Sequence, residues 1–128
     1  MFADQTEPLP VPGLSVLVVE DEFAVALLLE DMLADLGHKT VGPVAHLAKA
    51  VEMARREEID LAILDVNING GPVYPVASVL ANRGIPFFFA TGYGSGGLQV
   101  AYRGWPTLQK PFRRNDLREI IEKVWHAG

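Results

Sequence analysis

Short β-rich runs alternate with stretches of helical periodicity along most of this chain, and this alternation constrains its fold more than any other feature. The runs that predict strands are residues 14–19, 39–44, 59–64, 86–90 and 107–109. The stretches that predict helices are residues 22–36, 46–57, a segment from about residue 74, and 113–125. Strands that alternate with helices form right-handed βαβ units, so we expect an α/β domain with a parallel sheet covered on both faces.

The expected fold class is flavodoxin-like: a doubly wound, five-stranded parallel sheet with strand order 2-1-3-4-5. We assign residues 14–128 to this domain. Residues 1–13 contain three alternating prolines and are expected to form an extended Pro-rich N-terminal arm. In the first helix, apolar residues at helical spacing define the face expected to point inward: Val25, Leu28, Leu29, Met32 and Leu36.

The composition excludes several classes of protein. Without cysteine, the chain of 128 residues is neither a disulfide scaffold, a thiol enzyme nor a Cys-ligated zinc protein. Its net charge of -5 and the absence of a Lys/Arg block argue against nucleic-acid binding. No run approaches the roughly 18 continuous apolar residues of a membrane span, and the N-terminus lacks a signal-peptide pattern. We therefore expect a soluble, cytoplasmic protein.

Polar residues stand at the ends of four predicted strands. They are Glu20 and Asp21 after the first strand, Asp65 after the third, Thr91 after the fourth and Lys110 after the fifth. The first and third strands are neighbours in the expected order, and ligands of open α/β sheets bind at the carboxyl ends of such strands. We therefore expect all five side chains to meet in one crevice.

The three carboxylates in this group predict a Mg²⁺ site. Closely packed carboxylates repel one another, and a hard divalent cation with oxygen ligands removes that cost. Asp21 and Asp65 suit direct ligation, Glu20 suits a water-mediated contact, and the backbone carbonyl of Asn67 offers a further oxygen. The three histidines are dispersed, which argues against a metal with nitrogen ligands.

Asp65 has a second predicted role, as the nucleophile that forms an aspartyl-phosphate. The charge that develops on a transferred phosphoryl group needs a cation, a positive side chain and a hydroxyl donor around it. Mg²⁺, Lys110 and Thr91 would supply these groups. Taken singly, each residue is better explained as a helix cap or a surface charge, so the prediction depends on their joint placement.

Four short motifs resemble the receiver domain of two-component response regulators, over residues 14–126. The matching motifs are Val18-Val19-Glu20-Asp21-Glu22, Leu64-Asp65-Val66-Asn67, Ala90-Thr91-Gly92 and Lys110-Pro111-Phe112. The resemblance implies that Asp65 accepts a phosphoryl group from the phosphohistidine of a sensor histidine kinase or phosphotransfer protein. It also implies Mg²⁺ binding by Glu20 and Asp21, and contacts of Thr91 and Lys110 with the phosphoryl oxygens.

The resemblance further implies a cis peptide between Lys110 and Pro111. The run Phe89-Ala-Thr-Gly-Tyr93 is similar to the Phe-Ala-Thr-Gly-Tyr motif of a subgroup of small stand-alone receivers. On this interpretation the chain is a cytoplasmic single-domain response regulator and no enzyme, since it catalyses only its own phosphorylation and dephosphorylation. Phosphorylation would switch a surface for an unknown downstream protein partner or relay the phosphoryl group, and the sequence leaves a homodimer open.

Two alternative functions stay open. A haloacid-dehalogenase-like phosphatase also uses Asp, Thr, Lys and Mg²⁺, although it needs a second acid where this chain has Asn67. A phosphate-independent receiver-like interaction domain would retain the pocket without using it. Addition of an acyl-phosphate donor and Mg²⁺ distinguishes all three functions.

Two departures from the receiver pattern concern how phosphorylation would switch the interaction surface. Receivers carry an aromatic residue three positions before the lysine, and Thr107 occupies that place, so Tyr93, Tyr102 and Trp105 become candidate substitutes. Four glycines follow the fourth strand, where they disfavour helix by about 1 kcal/mol each relative to alanine. We expect residues 92–104 to contain little helix and to be mobile without phosphate.

Overall fold

A computed structural model describes residues 11–92 and 98–127 of the chain. The main sheet consists of β1 (Ser15–Val19), β2 (Lys39–Val44), β3 (Leu61–Asp65), β4 (Phe87–Thr91) and β5 (Thr107–Gln109). The helices in the described residues are α1 (Phe23–Asp35), α2 (Leu47–Arg56), α3 (Tyr74–Asn82) and α4 (Arg114–Ala127). All neighbouring strands are parallel in the order β2-β1-β3-β4-β5, so the flavodoxin-like fold and its strand order are confirmed.

Alternate residues of the central strands pack on opposite faces of the sheet and build two cores. Leu64 and Phe89 lie in the core beneath α2 and α3, whereas Ile63 and Phe88 lie in the core beneath α1 and α4. Burial of each such side chain contributes roughly 1.5–3 kcal/mol. Because both faces are covered, the central strands are continuous apolar runs, and the polar residues appear only where the strands end.

The inward face of α1 agrees with the prediction at Val25, Leu29, Met32 and Leu36 and differs from it at Leu28. Ala26, Leu29 and Leu33 are buried, whereas Leu28 is 43% exposed. The prediction that Leu28 points inward was wrong because residues 23–29 are all apolar and therefore leave the phase of the helix undetermined.

A small hairpin, the 67–72 hairpin, follows β3 directly. Asn67–Ile68 pairs antiparallel with Gly71–Pro72. The backbone N–H of Leu47 donates to the carbonyl of Asn69 at 2.8 Å, and the N–H of Asn69 donates to the carbonyl of residue 45 at 3.2 Å. These bonds join the hairpin to the segment that begins α2.

The N-terminal arm is described only in part. Residues 1–10 lie outside the described residues, and Val11 packs, partly buried, against the core beneath α1 and α4. Within the two described ranges, no helix combines the length and the apolar character that crossing a bilayer requires.

The glycine-rich segment is also described in part. Residues 93–97, including the candidate switch residue Tyr93, lie outside the described residues. Residues 98–104 contain one short 3-10 helix, Val100–Tyr102. The expectation of little helix is therefore confirmed for this described part, and mobility without phosphate stays a prediction.

Candidate functional site

The strand register brings the predicted site residues to one edge of the sheet. The last residue of β1 pairs with the residue before Asp65, so Glu20 lies beside Asp65. Asp65 itself pairs with the residue before Thr91. The backbone N–H of Lys110 donates to the carbonyl of Thr91 at 2.9 Å, which brings the end of β5 to the same edge.

These strand ends open into a cavity of about 220 Å³. Its lining residues are Asp21, Glu22, Asp65, Val66, Asn67, Thr91, Gly92 and Lys110. Glu20 is 2% exposed and Asp65 is 9% exposed, so two carboxyl groups are buried next to a water-accessible space. The structure thus gathers every side chain that the sequence assigned to the site, and it also places Asn67 at the cavity.

The three carboxylates lie close enough to share one ion. Glu20, Asp21 and Asp65 each offer an oxygen, and these oxygens all lie within 4.8 Å of one another. Oε2 of Glu20 is buried and has no hydrogen-bond partner within the described part of the chain. An all-oxygen, acidic donor set of this size fits Mg²⁺.

Lys110 is the cation that faces this cluster. Its Nζ lies 2.9 Å from Oε2 of Glu20, 3.4 Å from Oε1 of Glu22 and 3.6 Å from Oδ1 of Asp65. The contact with Glu20 is an ion pair without hydrogen-bond geometry. Oε1 of Glu20 accepts a hydrogen bond from the backbone N–H of Glu22 at 3.1 Å.

Sequence reasoning missed the contact between Glu22 and Lys110. Glu22 was interpreted as the start of α1, and it lies immediately before that helix. The available signal was its position as the third consecutive acid after β1. Its carboxylate is mostly exposed, so we attribute to this pair only a small stabilising effect.

The electrostatics of the cluster favour a protonated Asp65. Burial, a side-chain hydrogen bond to Glu20 and the negative charges of Glu20 and Asp21 raise the pKa of Asp65 to about 8, although the charge of Lys110 lowers it. Burial alone would lower the pKa of Lys110, but the ion pair with Glu20 and the other surrounding carboxylates raise it. The site therefore holds more negative charge than Lys110 neutralises.

The peptide between Lys110 and Pro111 is cis, as the resemblance implied.

Tyr102 and Trp105, two of the candidate switch residues, belong to an aromatic cluster that includes side chains of β4. The cluster contains Tyr74, Phe87, Phe89, Tyr102 and Trp105. Tyr102 stacks on Tyr74 with ring centroids 5.3 Å apart. The role of Tyr102 and Trp105 in a switch stays a prediction.

The fold and its acidic edge define a class of signalling module. Residues 16–122 match the family of response regulator receiver domains, and the chain belongs to this family. Receiver domains are components of two-component systems, and they bind Mg²⁺ at an acidic site.

Individual relatives agree with this assignment. The chain is 32% identical over 111 residues to the transcriptional regulatory protein PdtaR of Mycobacterium tuberculosis, a match that covers 84% of this chain and 54% of PdtaR. The chain thus spans about half the length of the curated relatives it matches.

Two solved structures show the same fold. The solution structure of SdrG from Sphingomonas melonis Fr1 has a TM-score of 0.80 at 40% identity, and the alignment covers 90% of this chain and 98% of that one. The receiver domain of the sensor histidine kinase PA1611 from Pseudomonas aeruginosa PAO1 has a magnesium ion coordinated in its active-site cleft. It aligns with a TM-score of 0.75 at 26% identity, over 89% of this chain and 98% of that one.

Proposed function

We propose that this chain is a Mg²⁺-dependent phosphoryl acceptor at Asp65. The phosphoryl group would come from the phosphohistidine of a sensor histidine kinase or phosphotransfer protein. The observation that carries this proposal is the geometry of the cavity. The Asp65 carboxyl borders it, the Lys110 amine lies 3.6 Å away, and two further carboxyl groups offer oxygens within 4.8 Å.

The residues present fit a Mg²⁺ ion. Asp21 and Asp65 would hold it directly, the Asn67 backbone carbonyl would add an oxygen, and Glu20 would act through water. When bound, Mg²⁺ supplies positive charge to the acidic cluster and to the transferred phosphoryl group. Burial and the neighbouring Glu20 and Asp21 raise the pKa of Asp65, and a bound cation would favour the ionised form of these carboxyl groups.

The side chains of this chain then have distinct roles in the transfer. An oxygen of ionised Asp65 attacks phosphorus, the P–N bond of the phosphohistidine breaks, and the imidazole leaves. The Lys110 ammonium and the Thr91 hydroxyl donate to the phosphoryl oxygens. Lys110 is already held beside the cluster by Glu20 and Glu22, so its placement requires little reorganisation.

Phosphorylation would signal through a protein-interaction surface or a phosphorelay. It adds about two negative charges and three strong acceptors next to Thr91. Thr91 precedes the 92–104 segment, so a change at Thr91 would propagate into that segment. We assign this receiver domain to the subgroup with a Phe-Ala-Thr-Gly-Tyr motif, and its likeness to SdrG, a stand-alone receiver, supports this. Its catalysis would be limited to its own phosphorylation and dephosphorylation.

The test is incubation with a small acyl-phosphate donor and Mg²⁺. The wild-type chain should gain one acid-stable, hydroxylamine-labile phosphoryl group, and Asp65→Asn should gain none. Asp31→Asn, which removes an exposed carboxylate on α1, is the matched control and should be phosphorylated normally. Removal of Mg²⁺ with EDTA should abolish the modification.

Two other results would contradict the proposal. Rapid steady turnover of the donor without retained phosphate would favour the phosphatase. No modification and no turnover would favour the phosphate-independent interaction domain.

A further inference from the structure

The 67–72 hairpin connects the proposed metal site to the segment that begins α2. Asn67, its first residue, lines the cavity, and Ile68 is buried in the core. At the turn, Asn69 exchanges backbone hydrogen bonds with residues 45 and 47. The position of Asn67 therefore depends on how the hairpin packs against the segment that begins α2.

The imidazole ring of His46 lies against the tip of this hairpin. Its Nδ1 accepts a hydrogen bond from the Ala48 N–H at 3.2 Å, which caps α2 and fixes the ring. Gly70 faces the ring with a φ of 98°. A Cβ added to Gly70 would lie 3.0 Å from Cε1 of His46 and 3.2 Å from Cβ of Leu47. Glycine alone satisfies both the backbone conformation and the close contact without strain.

We propose that His46 and Gly70 are positioning residues for the metal site. Their contact holds the 67–72 hairpin so that the Asn67 carbonyl stays at the cavity. Neither residue lines the cavity, so both act through the hairpin. The inference rests on the proposed function, because it concerns the Mg²⁺ site that phosphoryl transfer requires.

Gly70→Ala tests this role in the unphosphorylated full chain. Loss of a group that orients a metal ligand typically weakens metal binding 10–100-fold. We expect Gly70→Ala to raise the Mg²⁺ dissociation constant by about tenfold, measured by calorimetric titration.

The chain offers a matched control in Gly84, which follows α3. Gly84 has a φ of 71°, and an added Cβ would meet nothing within 4 Å, so Gly84→Ala introduces backbone strain without a new contact. Its Mg²⁺ affinity should equal that of the wild type. His46→Asn alone removes the ring while the asparagine retains the cap. This variant should also weaken Mg²⁺ binding, because the hairpin loses its contact with the ring.

A second readout needs no metal. The amides of Leu47 and Asn69 donate the hydrogen bonds that join the hairpin to α2. Their hydrogen exchange should accelerate in Gly70→Ala and stay at the wild-type rate in Gly84→Ala.

Three results would overturn the inference. If the wild type and Gly70→Ala bind Mg²⁺ equally, the positioning role is refuted and the proposed function stands. If both glycine variants lose the same affinity, backbone strain alone accounts for the effect. If the wild-type chain itself binds no Mg²⁺, the proposed function and the positioning role are both refuted.

Discussion

Asp65→Asn should increase the free energy of unfolding of the metal-free protein. Burial, the hydrogen bond to Glu20 and the neighbouring negative charges raise the pKa of Asp65 from 3.8 to about 8 in the folded chain. Between these two values the folded state binds more protons than the unfolded state. The contribution of Asp65 to stability is therefore greatest below the unfolded pKa and declines as the pH rises toward the folded pKa. Asparagine keeps the shape of the side chain and removes the charge.

The magnitude follows from the size of the pKa shift. A shift of about four pKa units corresponds to a ceiling of about 5–6 kcal/mol at 1.36 kcal/mol per unit. Asp65 borders an open cavity, where water screens the repulsion between carboxylates, so the realised effect is smaller. We expect Asp65→Asn to gain about 1–2 kcal/mol at pH 8 and clearly less at pH 5.

Urea denaturation in EDTA at the two pH values measures this gain, with Asp31→Asn as the control. Burial lowers the pKa of His38, so His38 also makes stability depend on pH, but this contribution is common to all three proteins and cancels. Excess Mg²⁺ should stabilise the wild type much more than Asp65→Asn and so reduce or reverse the difference. A metal-free Asp65→Asn that is less stable than the wild type at pH 8, or that gains equally at both pH values, would refute the reasoning.

Three further predictions concern other contacts. Lys110→Met removes the ammonium that lowers the pKa of Asp65, so that pKa should rise further, as seen by NMR titration, and acyl-phosphate labelling should slow at least about 100-fold. Tyr102→Ala opens the aromatic cluster and should cost about 2–4 kcal/mol in urea denaturation, whereas Tyr102→Phe should cost less than about 1 kcal/mol. The Arg83 guanidinium donates to two carbonyl groups at the end of α2, at 2.5 and 3.0 Å, so Arg83→Ala should cost about 1–2 kcal/mol by the same assay.

The sequence predicted the fold and the grouping of the site from one physical rule. Parallel strands bring their carboxyl ends to one edge of the sheet, so the polar residues at the ends of β1, β3 and β4 could be grouped once the strands and their order were assigned. Glu20, Asp65 and Thr91 all lie where this rule places them.

The remaining features depend on distances that periodicity does not encode. The contact between Glu22 and Lys110 depends on where a long side chain ends, and the two residues are far apart in sequence. The 67–72 hairpin has strands of two residues, too short for a pattern of alternation, and its strongest signal was the pair Gly70-Gly71. Leu28 was wrongly assigned to the inward face of α1 because the apolar residues at the start of this helix are continuous.

The central claim is that one particular carboxyl group accepts phosphate. After reaction with a small acyl-phosphate donor and Mg²⁺, the acyl phosphate can be trapped by hydride reduction and located by peptide mass spectrometry. The proposed function predicts modification at Asp65 alone. Modification at another residue, or none in a folded chain that binds Mg²⁺, would contradict it.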